Sequence, residues 1–257
     1  QWSNGLKTFL MRKKILVSGA SSGLGKFLLN KFNAVRFNRK SDNKKSLLET
    51  NWDLIIHCAF DSKTFNIRNF EKYMKDNIAN SLFLSSLKGR KIFMSSVQVY
   101  ESNKLSYRNE KDYIDVKKLT LYPLTKYTCE NFFKDTDIIL RLGSIIGEGM
   151  RKNTIYNVLN TKSPKIYLNK NSKFSFVSYE EIYEIIHLIL KKKRRGIFNV
   201  LRNDFISLNK VAKKFNISKI KYGKLTFNGT IADNDKILKI KNLKTKSSLE
   251  ILKSIKK

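Results

Sequence analysis

The sequence contains little cysteine and little proline: two of each occur among its 257 residues. Cys58 and Cys129 are too few for a disulfide framework, and they lack the spacing of metal ligands. A chain of this kind suits a reducing compartment, so we expect a cytoplasmic protein without a metal site. The two prolines, at positions 123 and 164, do not form a Pro-rich linker between domains.

Long apolar runs are also absent. Uninterrupted apolar stretches such as Leu188–Leu190 are only a few residues long, whereas a membrane-spanning helix needs about 20. The first residues lack the apolar core and the small-residue cleavage site of a signal peptide. Met11 resembles a natural start, so we expect residues 1–10 to be an extension outside the fold. We expect no membrane span.

Acidic residues are scarce beside basic ones, with 21 Asp and Glu against 52 Lys and Arg and a net charge of +31. Such an excess can indicate a nucleic-acid or anionic-membrane partner. It also follows from a composition rich in Lys, Asn and Ile, and the lysines are spread along the whole chain. We favour compositional bias over a functional polyanion surface and expect no specific nucleic-acid partner. A basic field would still help to collect a phosphorylated small substrate.

The apolar residues are numerous enough for a sizeable core, at 41% of the chain. Segments of strand length alternate with segments of helical period, which predicts an α/β fold with a parallel sheet covered on both faces. The predicted strands lie near residues 14–18, 34–38, 53–59, 91–96 and 138–142. After Gly147 the pattern changes, with a strand at 176–178, an apolar helix stripe over 182–189 and a strand at 196–200.

This pattern divides the chain into two regions. Residues 11–147 are predicted to form a Rossmann-type dinucleotide-binding domain. Residues 148–257 are predicted to form mainly a substrate-binding region, in which about 176–200 pack back on the first domain.

The stretch Ile15–Gly25 predicts a short strand, a Gly-rich turn and the start of a helix. Glycines at 19, 23 and 25 would let backbone N–H groups approach a pyrophosphate, and the positive end of the following helix would face that charge. An ordinary Gly/Ser loop between a strand and a helix is the alternative interpretation, because a single glycine pattern is a weak signal.

Tyr122 and Lys126 are four residues apart, which places them on one face of a helix. A cation near a phenol lowers the tyrosine pKa, as a general acid/base for alcohol–ketone interconversion requires. A chance surface pair is the alternative in a chain rich in both residues. Ser95 and Ser96 end a predicted parallel strand, where open α/β sheets bind ligands, and a hydroxyl there could orient a substrate carbonyl.

Taken together, these motifs resemble the extended branch of the short-chain dehydrogenase/reductase superfamily, the NAD-dependent epimerase/dehydratase group that acts on nucleotide sugars. The resemblance covers residues 12–255 in order. Its segments are Ser18–Gly25, Ile55–Ala59, Asn77, Met94–Tyr100, Tyr122–Lys126, Arg141, Phe176–Ile182 and Asp235–Ile255.

The resemblance implies a role for each matching residue. Tyr122 would be the acid/base, Lys126 would hold the nicotinamide ribose and lower the Tyr122 pKa, and Ser96 would orient the substrate, with Ser95 the second choice. Asn77 would lie near the cofactor. The implied cofactor-lining residues are Gly19, Ser21, Ser22, Gly23, Leu24, Gly25, Asn38, Arg39, Ala59 and Phe60.

Two features depart from the extended branch. The glycine spacing is that of the single-domain branch, with Ser22 where a middle glycine is usual, and the segment before Asp53 is short for a full βα unit.

The end of the second strand reads Asn38-Arg39-Lys40 instead of carrying an acid for the ribose of NAD. Cations there suit the 2′-phosphate of NADP, so NADP(H) is favoured over NAD(H).

These residues predict a nucleotide-sugar epimerase or 4-keto-sugar reductase. Val97-Gln98 stands where a dehydratase has an acid pair, which argues against dehydration. Arg141 or lysines within 150–173 would contact the substrate phosphates, and we allow for a homodimer. One alternative is a non-catalytic dinucleotide-binding subunit. The other is a nucleic-acid-binding protein, although the sequence contains no recognisable nucleic-acid-binding motif. His57 and His187 are interpreted as structural.

Overall fold

The computed structural model describes residues 13–40, 42–61, 69–100, 108–240 and 246–255. The predicted extension, residues 1–10, lies outside the described residues. Among the described residues, no helix has both the length and the apolar character needed to cross a bilayer.

The central element is a six-stranded parallel sheet with strand order β2-β1-β3-β4-β5-β9. Its strands are β1 (Ile15–Ser18), β2 (Val35–Arg36), β3 (Leu54–His57), β4 (Arg90–Ser96), β5 (Ile138–Leu142) and β9 (Gly196–Val200). The order reverses between β1 and β3, and open α/β sheets bind ligands at such a switch point. The predicted α/β Rossmann-type class is confirmed.

The burial of each predicted strand segment explains whether it forms a strand of the expected length. Every residue of β1, β3 and β5 is buried, as expected for apolar strands covered by helices on both faces. β2 is an exposed edge strand of two residues, although the sequence predicts a strand over 34–38. Beyond it, the Phe37 backbone nitrogen still donates to the Val17 carbonyl, and the Asp42 carboxylate then accepts a hydrogen bond from the backbone of Asn38 in a turn.

Helices cover both faces of this sheet. They are α1 (Gly23–Phe32), α2 (Lys44–Glu49), α3 (Phe70–Met74), α4 (Asn80–Ser86), α5 (Leu121–Glu130), α6 (Thr154–Asn160), α7 (Tyr179–Lys191), α8 (Leu208–Lys214), α9 (Asp235–Leu238) and α10 (Ser248–Ile255). A π-helical turn, Lys75–Ala79, joins α3 to α4. Residues 70–86 are therefore helical throughout but contain a widened turn, and such turns often occur at functional sites.

The second half of the chain adds two small pairs of strands. β6 (Ser144–Ile146) pairs in parallel with β8 (Phe176–Ser178), and β7 (Lys173–Phe174) pairs antiparallel with β10 (Ile206–Ser207). The capping box of Ser178 and Glu181 starts α7. Aromatic contacts between α1 and α7 then attach this half to the sheet, with Phe27 and Tyr179 ring centroids 5.7 Å apart.

Gly19→Ala is expected to destabilise the protein more than Gly196→Ala. Both glycines have a positive φ, of 70° and 89°, and a left-handed conformation costs other residues about 1–2 kcal/mol. Only the Cβ added at Gly19 would lie 2.6 Å from a backbone atom, the Ala59 nitrogen, whereas nothing lies within 4 Å of one added at Gly196. Free energies of unfolding in urea measure the difference, and equal losses in the two variants would contradict it.

Candidate active site

A cavity of about 860 Å³ opens at the carboxyl edge of the sheet, beside the switch point between β1 and β3. This volume lies in the range typical of ligand and cofactor sites. Its lining includes most of the residues that the sequence singles out. They are Gly19, Ser21, Ser22, Gly23, Leu24, Gly25, Asn38, Arg39, Ala59, Phe60, Ser96, Tyr122 and Lys126.

The Gly-rich turn is a close-packed wall of this cavity. A Cβ at Gly25 would lie 2.3 Å from the Gly19 carbonyl oxygen, so the turn folds back on itself at a distance that only glycine allows. Gly23 has a φ of 55° and begins α1. The first N–H groups of a helix have no partners within the helix and attract anions. The turn therefore fits the pyrophosphate of a dinucleotide.

A chain of hydrogen-bonded polar side chains, buried in the protein interior, supports the Gly-rich turn. The Ser18 hydroxyl lies 2.7 Å from His57 Nδ1 and accepts a hydrogen bond from the Ala59 backbone. His57 Nε2 lies 2.9 Å from the Ser81 hydroxyl, which itself donates to the Asn77 carbonyl. A neutral imidazole with its proton on Nε2 satisfies every member of the chain. Burial lowers the pKa of His57 to about 3, and the charge of Lys126 acts in the same direction.

Asn77 lies behind the cavity wall and holds the backbone of a segment that forms this wall. Its side-chain oxygen accepts from the Asp61 backbone nitrogen at 2.7 Å, and its amide nitrogen donates to the Asp61 carbonyl at 3.0 Å. Both amide atoms thus hold the segment that carries Ala59 and Phe60. The sequence predicts Asn77 beside the cofactor, but the structure places it outside the cavity lining, at the π-helical turn.

The structure brings Tyr122 and Ser96 together across the cavity wall. Both residues line the cavity, and the Ser96 oxygen accepts a hydrogen bond from the Gln98 backbone at 3.2 Å. Burial raises the pKa of Tyr122, while the nearby Ser96 hydroxyl and the positive charge of Arg151 act in the opposite direction. The net pKa shift of Tyr122 is therefore upward, and the cation that opposes it is Arg151.

Lys126 is buried beside Tyr122 and is surrounded by aromatic rings. Its ammonium donates to the Met94 carbonyl at 2.6 Å and lies 3.8 Å from the centre of the Phe60 ring and 4.8 Å from that of Phe93. Burial lowers the pKa of Lys126 to about 7. The Phe60 ring also meets the Tyr122 ring edge-on at 5.4 Å, so one aromatic side chain positions both members of the predicted pair.

Arg151 enters the site from the loop between β6 and α6, and the sequence does not identify it individually. Its guanidinium donates to the Phe60 carbonyl at 2.6 Å and lines the cavity. Tyr179 lines the opposite wall, where a Cβ at Gly23 would lie 3.1 Å from its hydroxyl. The polar stretch 148–175 has no periodicity, so only the short Gly147-x-Gly149 loop after β6 could have drawn attention to Arg151.

Arg141 is a structural residue, contrary to its predicted contact with substrate. It is 2% exposed, and its guanidinium donates to the Glu130 carboxylate at 2.6–3.2 Å and to the Tyr100 hydroxyl at 2.7 Å. Ser95 donates to the same carboxylate. This buried cluster fastens α5 to β4 and β5, and Arg141 does not reach the cavity lining.

The end of the cavity near β2 is rich in cations. Arg36, Arg39 and Lys72 line it, and the whole cavity lining contains two carboxylates, those of Asp61 and Asp76. Arg39 and Lys72 both form ion pairs with Asp76, which the π-helical turn supplies. The cations of the lining outnumber its carboxylates, so the cavity is positive.

We expect the free energy of unfolding to fall as the pH is lowered from about 6.5 towards 3. His57 titrates near 3 when folded and near 6.5 when unfolded, so the unfolded state binds an additional proton in that window. The slope for one proton is about 1.4 kcal/mol per pH unit. Urea unfolding between about pH 4 and 5.5, where the unfolded imidazole is mostly charged, should show a slope lower by about this amount in His57→Gln than in the native protein. Burial also lowers the pKa of the half-buried His187, so His187→Gln should lower the slope as well, but by less. An unchanged slope in His57→Gln would contradict the assignment.

Comparison with known proteins agrees with this architecture. The family model described as "NAD dependent epimerase/dehydratase family" matches residues 7–200. No curated protein matches the sequence significantly. Three solved structures illustrate the shared fold, each at less than 20% identity.

The UDP-glucuronic acid 4-epimerase from Bacillus cereus, in complex with UDP-glucuronic acid and NAD, is 18% identical, with a TM-score of 0.78 over 95% of this chain and 98% of the other. The dTDP-4-dehydrorhamnose reductase from Bacillus anthracis str. Ames, in complex with NADP, is 17% identical, with a TM-score of 0.78 over 95% and 99%. MoeE5 in complex with UDP-glucuronic acid and NAD is 19% identical, with a TM-score of 0.77 over 93% and 96%.

Proposed function

Since the chain belongs to the NAD dependent epimerase/dehydratase family, we propose that it is an NAD(P)-dependent nucleotide-sugar epimerase or 4-keto-sugar reductase. The observation that carries the proposal is that Ser96, Tyr122 and Lys126 line one wall region of the same cavity. The Gly-rich turn borders the same cavity, so a proton-transferring group and a dinucleotide site share one space.

The residues present fit a nicotinamide dinucleotide. The N-terminus of α1 would hold the pyrophosphate, the cations near β2 would hold the adenosine end, and Lys126 would reach the nicotinamide ribose. The bound cofactor supplies hydride chemistry at its nicotinamide. Ala59 and Phe60, which Asn77 fixes from behind, would line its path.

Tyr122 is suited to donate a proton to a ketone oxygen. Because burial raises its pKa, the phenol keeps its proton at neutral pH and can deliver it to a developing alkoxide. Ser96, which lines the same cavity, would orient the carbonyl and stabilise the charge that develops on it. The protonated phenol favours the reductive direction, which 4-keto-sugar reduction and the second half of an epimerisation have in common.

The substrate class rests on the relatives and on the second half of the chain. The B. cereus relative is an epimerase of UDP-glucuronic acid, and the B. anthracis relative is a reductase of dTDP-4-dehydrorhamnose, so both act on nucleotide sugars. In this chain, Met150, Arg151 and Asn153 complete the cavity wall from beyond residue 147. We propose that residues 148–257 form most of the substrate-binding region and that residues 11–147 hold the dinucleotide.

Incubation of the enzyme with NADPH or NADH and a panel of nucleotide sugars and 4-keto sugars is expected to give a product detectable by mass, or by chromatography for an epimer. Tyr122→Phe should lower the rate by about 10²–10⁴-fold, since it removes the proton donor but keeps the ring against Phe60. Tyr127→Phe, on the same helix, is the matched control and should retain activity. Cofactor binding without turnover, unaffected by Tyr122→Phe, would instead indicate a non-catalytic dinucleotide-binding subunit.

We also propose that NADP(H) is preferred to NAD(H), because cations outnumber carboxylates at the β2 end of the cavity. Arg39→Gln should weaken NADPH binding about tenfold, the equivalent of 1.4 kcal/mol, through the lost contact with the 2′-phosphate. NADH binding should change less than about twofold. Fluorescence titration of both cofactors measures this, with Lys213→Gln as a control of equal charge change. Equal weakening of NADPH and NADH in Arg39→Gln would contradict the preference.

A further inference from the structure

Two segments in the second half of the chain contain no acidic residue. Residues 149–179 and 205–232 together form what we call the acid-free lobe. Each segment has six cations: Arg151, Lys152, Lys162, Lys165, Lys170 and Lys173 in the first, and Lys210, Lys213, Lys214, Lys219, Lys221 and Lys224 in the second. All twelve side chains are exposed.

The net positive charge of this lobe is larger than an even distribution of the charged residues along the chain would give. The other 40 cations of the chain share their part of the sequence with all 21 acids. An even spread of those acids would place about five of them in the lobe. Acids have been excluded from a contiguous surface, in addition to the general enrichment in lysine.

The two segments are folded against each other. β7 pairs with β10, and further along Ile166 donates to the Lys221 carbonyl and Leu225 to the Tyr167 carbonyl. A Cβ at Gly223 would lie 2.1 Å from the Tyr167 carbonyl oxygen, so the backbones are in direct contact. The lysines at 165, 170, 173, 221 and 224 therefore lie on chain segments that are in direct backbone contact.

This surface has an apolar tip. Tyr167 is 84% exposed and Leu225 is 65% exposed, and the backbone hydrogen bond between these residues places them side by side. Exposed lysines at 165, 221 and 224 flank them. Large apolar side chains surrounded by cations with flexible aliphatic stems are characteristic of proteins that bind at a membrane interface.

We propose that the acid-free lobe docks on the surface of an anionic lipid bilayer. Tyr167 and Leu225 enter the headgroup region, and the lysines around them contact lipid phosphates. An anionic bilayer explains the exposed leucine as well as the lysines. Single-stranded nucleic acid explains the leucine less well, because such strands are bound by stacking on aromatic rings.

Co-sedimentation with vesicles tests the proposal on the full-length protein. We expect binding to phosphatidylcholine vesicles that contain about 30% phosphatidylglycerol, little binding to pure phosphatidylcholine, and loss of binding as salt rises from about 0.1 M to 1 M. The triple variant Lys219→Gln/Lys221→Gln/Lys224→Gln should reduce the partition coefficient at least about tenfold. Tyr167→Ser should reduce it about threefold or more.

Two matched controls separate a local surface from overall charge. Lys193→Gln/Arg194→Gln/Arg195→Gln removes the same charge from an exposed run outside the lobe and should reduce binding less than about twofold. Tyr113 is 83% exposed but lies among Glu110, Asp112 and Asp115, so Tyr113→Ser should have no effect. Equal losses from the two triple variants would overturn the proposal. So would the absence of vesicle binding, or tighter, lobe-dependent binding to a single-stranded RNA.

Discussion

The close approach of β1 to β3 at their carboxyl ends determines the rest of the site. Gly19 lies so near the Ala59 backbone that no side chain fits between them, and the Ser18 hydroxyl bridges the two strands through His57 and Ala59. This contact fixes the Gly-rich turn on one side and the Ala59–Phe60 segment on the other. A shift at this contact would therefore displace the Gly-rich turn and the neighbours of Tyr122 and Lys126 together.

Phe60 connects this contact between the strands with Tyr122 and Lys126. Its ring lies against both the Lys126 ammonium and the Tyr122 ring, and its carbonyl accepts from Arg151 in the second half of the chain. Tyr122 and Lys126 are thus positioned by an aromatic ring and a backbone carbonyl. Burial there moves both pKa values towards the neutral forms, upward for Tyr122 and downward for Lys126.

The sequence predicts those parts of the structure that local patterns encode. The β1–turn–α1 unit, the strands at 176–178 and 196–200 and the stripe of α7 follow from runs and periods of neighbouring residues. Arg141 and Asn77 could not be placed this way, because their roles depend on Glu130 and on the Asp61 backbone, which only the fold brings near. The role of Arg151 could not be predicted from local patterns either, because its hydrogen-bond partner Phe60 is 91 residues away in sequence.

The position of Arg151 would make the two proposed catalytic side chains respond to the substrate. Its positive charge lowers the pKa of Tyr122 and also that of Lys126, so it favours the phenolate and the neutral amine together. An anionic group of a substrate that paired with Arg151 would cancel this influence, and both pKa values would rise. The phenol would then hold the proton it has to donate, and the lysine would keep the charge that binds a ribose. Substrate binding and protonation of the proposed site would thereby be coupled through one guanidinium.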